Sequence, residues 1–199
     1  MFRLLLLLFC VTCHPVYGLV DTQPQQVHLS LGKDETEMMV TWLTIDAIET
    51  KPTVEFGPMD SFPSFPFTSN GWSTKFVDGG SEQRTMHIHR VLMEGLTPGQ
   101  GYYYHVGSLE GWSDVFWFKA LESGTDWSPR FAIYGDLGNV NGQSIPRLQQ
   151  EVSRGAFDAV LHVGDFAYDL HTVSLTSVPK HVFKIDSTIR TMHELAMSS

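Results

Sequence analysis

Two short apolar runs in this chain stop on the same dipeptide. "FAIYGDLGN" (131–139) and "LHVGDFAYDLH" (161–171) each carry an apolar strand into Gly-Asp, at Gly135-Asp136 and at Gly164-Asp165. Between them, "SIPRLQQEVSR" (144–154) places Ile145, Leu148 and Val152 on one helical face, with Ser144 positioned to cap it, Pro146 in its first turn and Gly155 at its end. Strand, helix and strand in so short a span make a βαβ unit, so the strands at 131–134 and 159–163 are expected to run parallel. Parallel sheets bind their ligands beyond the carboxyl ends of the strands. Asp136 and Asp165 are therefore expected to face one space. Two carboxylates in a partly dry cleft repel, and one stays protonated unless a cation lies between them. Either Asp alone would serve as a turn or cap residue; the repeat is what calls for a metal. One carboxylate can bridge two ions about 3.5–4 Å apart, the separation used in hydrolytic phosphoryl transfer.

The chain opens "MFRLLLLLFCVTCHPVYG". Arg3 gives a positive start, the apolar run from Leu4 to Thr12 is too short to span a bilayer, and a small residue closes it at Gly18. This reads as a secretory signal peptide over 1–18, so the mature chain is expected to be secreted. Both cysteines, Cys10 and Cys13, lie inside it, which would leave the mature chain without disulfides in a compartment that permits them. No Asn-x-Ser/Thr sequon and no second apolar run of membrane-spanning length follows. Formal charge is −9, and loss of Arg3 would take it to −10. An acidic chain without a Lys/Arg block argues against a nucleic-acid partner held through its phosphates.

From 25 to 121 the pattern is all β. Strands are expected near 27–31, 37–45, 53–56, 74–78, 86–93, 102–106 and 113–119, with Gly, Pro, Asp or Ser in most gaps. Seven short strands without a helical period predict a β-sandwich. "GLTPGQGYYYHVG" (95–107) sets Tyr102 at a strand start after a Pro-Gly turn, the arrangement of a tyrosine corner, in which the phenol bonds upstream backbone. Trp42, with Val40 on the same face, is the expected core centre. The stretch resembles a fibronectin type III module. "GPMDSFPSFPFTSNGW" (57–72) reads as a long loop whose Phe62, Phe65 and Phe67 either cover the sandwich end or rim a neighbouring site. A linker is expected over 122–129.

Tyr168, three residues past Asp165, bears on the metal. A phenol of pKa near 10 is a poor ligand for Mg²⁺ or Ca²⁺, whereas a hard trivalent ion such as Fe(III) would lower that pKa far enough. "YGDLG" followed by "LHVGDFAYD" resembles the first two metal blocks of the purple acid phosphatases, a branch of the calcineurin-like metallophosphoesterases. The fibronectin-like module before them, with "QVHLSLG…MMVTWLT", is similar to the N-terminal domain of the family's larger animal members. The resemblance runs from about Gln25 to His171. It implies that Asp136 is a ferric ligand, that Asp165 bridges both metals, and that Tyr168 is the tyrosinate behind the family's colour. It implies Fe(III) with a divalent ion, Zn or Fe, and hydrolysis of phosphomonoesters at acidic pH.

The resemblance stops at His171. The family's Gly-Asn-His-Glu block, its further single His and its Gly-His-x-His block do not occur in these residues. The ferric site would keep three of four protein ligands and the divalent site only Asp165. His171, His181 and His193 sit at neither motif spacing and are not expected to substitute. The expected architecture is thus a fibronectin-like sandwich (25–121), the opening βαβ part of a metallophosphoesterase domain (130–171), and an irregular tail (172–199), disordered or loosely helical. The expected molecule is a truncated phosphatase that binds metal weakly and turns over little. The alternatives are a noncatalytic secreted binding module, acting through the sandwich surface or "SFPSFPF", and a splice product without function.

Overall fold

The computed structural model describes residues 21–137 and 142–164. The expected signal peptide and tail lie outside the described residues. Sheet dominates the regular structure. Nine strands precede residue 120: β1 (Gln25–Leu31), β2 (Glu37–Thr44), β3 (Thr53–Pro58), β4 (Phe67–Asn70), β5 (Trp72–Val77), β6 (Thr85–Glu94), β7 (Gly101–Ser108), β8 (Gly111–Trp112) and β9 (Phe116–Lys119). They form two antiparallel sheets. One runs β1-β2-β6-β5; the other runs β4-β3-β7, with β8 and β9 pairing successive parts of β7.

Alternation explains why these sheets face each other. In β2, Met38, Val40, Trp42 and Thr44 are buried while Met39, Thr41 and Leu43 keep some exposure. In β7 the inward set is Tyr102, Tyr104 and Val106, as expected from the sequence. Val54 and Phe56 from β3, Val91 and Met93 from β6 and Phe118 from β9 complete one contiguous core around Trp42. Each such fully buried side chain contributes about 1.5–3 kcal/mol through removal of apolar surface from water. The tyrosine corner is present: the Thr97 N–H donates to the Tyr102 hydroxyl at 2.8 Å.

The insert departs from its expected form. The insert 57–72 is not all loop, because β4 and the first residue of β5 lie within it. Of its three phenylalanines, Phe67 lies against the core residue Phe56 at 5.4 Å, and the other two pack on the outer face of the second sheet. Phe62 packs on Tyr103 at 4.6 Å, and Phe65 stacks on His105 at 4.6 Å, which stacks in turn on Trp112 at 4.5 Å. Tyr103 and His105 point away from the core, so the insert folds over the outer face of the second sheet. Gly71 lets it pass: the chain crosses from one sheet to the other there, and a Cβ would lie 1.8 Å from the Arg90 carbonyl oxygen.

Residues 120–130 carry no strand or helix. The passage is clamped at its start, where the Gly99 N–H reaches the carbonyls of Ala120 (3.2 Å) and Leu121 (3.0 Å). A second, smaller unit follows: β10 (Phe131–Tyr134), α1 (Ile145–Ser153) and β11 (Ala159–His162). The two strands are parallel and in register from Phe131↔Ala159 to Tyr134↔His162. Helix α1 covers one face, with Ile145, Leu148 and Val152 against Ala132, Tyr134 and Val160. Gly155 ends it at φ +66°, where the Gly155 N–H bonds the Val152 carbonyl at 2.9 Å. Ser144 does not cap the helix through its side chain. Its backbone is already helical, continuing the 3-10 turn at Gly142–Ser144, so the hydroxyl makes no cap bond. Among the described residues no helix is long and apolar enough to cross a membrane.

Candidate metal centre

The carboxyl ends of β10 and β11 lie side by side, and hydrogen bonding continues past the last paired residues. The Val163 N–H donates to the Tyr134 carbonyl at 2.8 Å, and the Asp136 N–H lies 3.4 Å from the Gly164 carbonyl. Asp136 is therefore level with Gly164, the residue immediately before Asp165. The second apolar run is one residue longer than the first, so in this register the two dipeptides are staggered by one position and Asp136 falls level with the Gly of the second.

The backbone turns sharply at this end. Asp136 has φ +56°, in the left-handed region that Asp and Asn enter more readily than most residues. The turn leaves Asp136 exposed at the strand end, and the next residue, Leu137, returns to the apolar cluster under α1. Asp136 is thus held between a sheet hydrogen bond on one side and a buried leucine on the other. Gly164 has φ +105°, a conformation side chains rarely adopt, whereas a Cβ at Gly135 would meet only ordinary contacts near 3.5 Å. Of the two glycines in the repeated dipeptide, the second is the one the backbone requires.

Beneath this end, Tyr134 and His162 face α1 with ring centroids 4.8 Å apart. Burial pushes the Tyr134 phenol up to about 12, so it stays neutral at any mild pH. At the opposite end, the Arg130 N–H donates to Asp158 Oδ2 at 2.7 Å and the Arg130 guanidinium reaches Oδ1 at 3.3 Å, tying together the chain entering both strands. This pair and Leu137 are only faintly marked in the sequence. A charge before each strand and an apolar residue directly after the first Gly-Asp were the available signals.

Of the three expected ligands, the described residues contain Asp136 alone; Asp165 and Tyr168 lie outside them. Among the described residues no three His, Cys, Asp or Glu side chains gather as a metal site. Asp136 suits a hard cation: it is a carboxylate, exposed, fixed by its backbone and next to the residue that leads into a second carboxylate.

Three comparisons bear on what this arrangement belongs to. Residues 24–120 match the family model of the purple acid phosphatase N-terminal domain. Acid phosphatase type 7 of Homo sapiens is 46% identical over 166 residues, which cover 83% of this chain and 37% of that protein. Fe(3+)-Zn(2+) purple acid phosphatase 12 of Arabidopsis thaliana is 29% identical over 159 residues, covering 73% of this chain and 30% of that one. Among solved structures, a purple acid phosphatase from yellow lupin (Lupinus luteus) seeds superposes with a TM-score of 0.66 at 25% identity, over 86% of this chain and 34% of the lupin chain. Fold and similarity together define a β-sandwich module of the purple acid phosphatase N-terminal type. The chain belongs to the purple acid phosphatase family. It spans little more than a third of the length of its relatives from animals.

Proposed function

We propose that these residues are the amino-terminal part of a secreted, metal-dependent acid phosphatase acting on phosphomonoesters. In this reading Asp136 and Tyr168 hold a ferric ion, and Asp165 is shared between that ion and a divalent partner, zinc or iron. The observation that carries it is the level placement of Asp136 and Gly164 at the carboxyl end of a parallel strand pair. The family's metal dependence supports the same assignment, since a relative's name specifies iron and zinc. When bound, such a pair supplies Lewis-acid polarisation of phosphate oxygens and activation of water.

The chain's own contribution is positional. Parallel pairing brings Asp136 level with Gly164, the positive φ at Asp136 turns its carboxylate outward, and Leu137 anchors the segment behind it. The 199 residues hold neither the Asn nor the His ligands that complete the family's divalent site, so this polypeptide by itself is expected to hydrolyse phosphomonoesters at close to background rate.

The test combines absorption with activity. Purified chain loaded with Fe(III) is expected to show a visible tyrosinate-to-iron charge-transfer band that Tyr168→Phe abolishes and Asp136→Asn weakens. Its turnover of p-nitrophenyl phosphate at acidic pH, with iron and zinc added, is expected to stay near that of buffer. A colourless wild-type chain would refute the ligand assignment. Turnover matching a full-length relative would refute the incomplete second site.

A further inference from the structure

Asn-Gly between two strands ordinarily makes a two-residue hairpin turn, with both residues in the left-handed region. Asn70-Gly71 does not. The strands it joins, β4 and β5, belong to different sheets, and neither residue has a positive φ. Gly71 is required for space rather than for its torsion, since a Cβ there would also lie 2.9 Å from the Val91 Cα. The dipeptide nonetheless keeps the chemistry of its residues, asparagine being among the thermolabile side chains. Its amide carbon is one bond short of a five-membered ring with the next backbone nitrogen, and glycine leaves that nitrogen unshielded.

Asn70 is exposed, so water reaches its side chain. Three features hold it away from ring closure. It is extended, as the last residue of β4. The Gly71 N–H, which must lose its proton to react, donates to the Pro52 carbonyl at 3.0 Å. The Thr53 hydroxyl, on the residue directly opposite, lies 2.9 Å from Asn70 Oδ1. All three depend on β4, an edge strand of four residues that pairs with β3 alone and is mostly exposed. Such segments open locally while the core stays folded.

We propose that Asn70-Gly71 is a deamidation site, held closed by the fold and released when β4 opens. In the open form the Gly71 nitrogen bonds to Asn70 Cγ and the Cγ–Nδ2 bond breaks. The amide leaves as ammonia with the proton lost from Gly71, and nothing is oxidised or reduced. Water then opens the succinimide at either carbonyl. One route leaves aspartate at position 70 in an ordinary peptide. The other leaves isoaspartate, whose main chain runs through the side-chain methylene and is one atom longer. That extra atom falls directly before the Gly71 crossing, which has no room for a methyl group. The isoaspartyl chain therefore cannot restore the β4–β5 corner, and the change is one-way. The inference is independent of the metal assignment, because it uses neither Asp136, Asp165 nor Tyr168.

Peptide mapping of the full chain, aged at neutral pH and compared with standards of both products, tests it. In guanidinium chloride Asn70 is expected to react within about twofold of the rate at Asn141-Gly142, the chain's other Asn-Gly pair. Without denaturant, Asn70 is expected to react at least about tenfold more slowly than in guanidinium chloride. Ring closure is slow against opening and reclosing, so its rate reports the open population. Phe67→Ala, which removes the ring that β4 packs on Phe56, is expected to raise the native rate at least about threefold, with exchange in β2 unchanged as the control for an intact sandwich. The purified isoaspartyl chain is expected to exchange amides in β5 at least about tenfold faster than fresh chain. Equal rates at Asn70 with and without denaturant would overturn the proposal, as would a native rate unmoved by Phe67→Ala. An isoaspartyl chain with β5 as protected as in fresh chain would overturn the one-way release.

Discussion

His89 lies fully buried in β6 and bridges both flanking strands of its sheet. Its Nε2 is 2.9 Å from the Thr44 hydroxyl of β2 and its Nδ1 is 2.8 Å from the Ser73 hydroxyl of β5. The Thr44 hydroxyl donates to the Asp46 carbonyl at 2.6 Å, so toward the ring it accepts. That assigns the proton to Nε2 and makes Nδ1 the acceptor of the Ser73 O–H. The ring is neutral, and burial first, then repulsion from His87, lowers its pKa to about 4 from the ordinary 6.5. The unfolded chain therefore binds more protons between these values. The stabilisation is complete above about pH 6.5 and is lost as pH falls toward 4, by up to about 3 kcal/mol for the full shift. Urea unfolding between pH 7 and pH 4 is expected to show that decline, and His89→Gln, which cannot titrate, to flatten it. An unchanged slope in the variant would reject this origin. None of the network was legible in the sequence, where His87 and His89 read only as polar members of an alternating strand.

At the scale of elements, legibility followed burial. β2, β7, β10 and β11 were readable because burial makes their apolar residues alternate or run together. β4 and β5 were misread or clipped for the opposite reason. β4 is mostly exposed and β5 exposed throughout, so Phe67-Thr68-Ser69-Asn70 and Trp72-Ser73-Thr74 present no period to detect. Their pairing is instead set by neighbours: β4 lies along β3 with Phe67 against Phe56 at 5.4 Å, and β5 lies along β6. Gly71 joins these two edge strands, and its N–H bonds the Pro52 carbonyl at 3.0 Å. Gly71→Ala forces a methyl group onto the Arg90 carbonyl, and a backbone oxygen cannot swing aside as a flexible side chain would. A loss of about 3 kcal/mol in denaturant stability is expected. A midpoint unchanged from the wild type would mean the two edges can separate without cost.

Across the whole molecule, stability is unevenly distributed. The sandwich encloses Trp42, Tyr104 and Phe118 together with the inward residues of both sheets, while the second unit gathers a handful of side chains around α1. Native-state hydrogen exchange is expected to be slowest in β2, β6 and β7 and at least about a hundredfold faster in β10 and β11. Uniform protection across both units would show that they unfold as one. The candidate site belongs to the smaller unit, which explains why it was legible only in outline. The repeated Gly-Asp ends gave its position, since parallel pairing follows from chain order. What fixes Asp136 locally, the sharp turn and the return of Leu137 to the core, depends on backbone angles and on a helix packed from elsewhere in the chain.

That sharp turn has a chemical corollary. Aspartate and glutamate offer the same oxygen donors, yet they are unequal tenants of a φ of +56°. The shorter acid can satisfy a polar atom of its own peptide there, which the longer one does poorly. The preference for aspartate at position 136 is thus written in the main chain before any cation is considered.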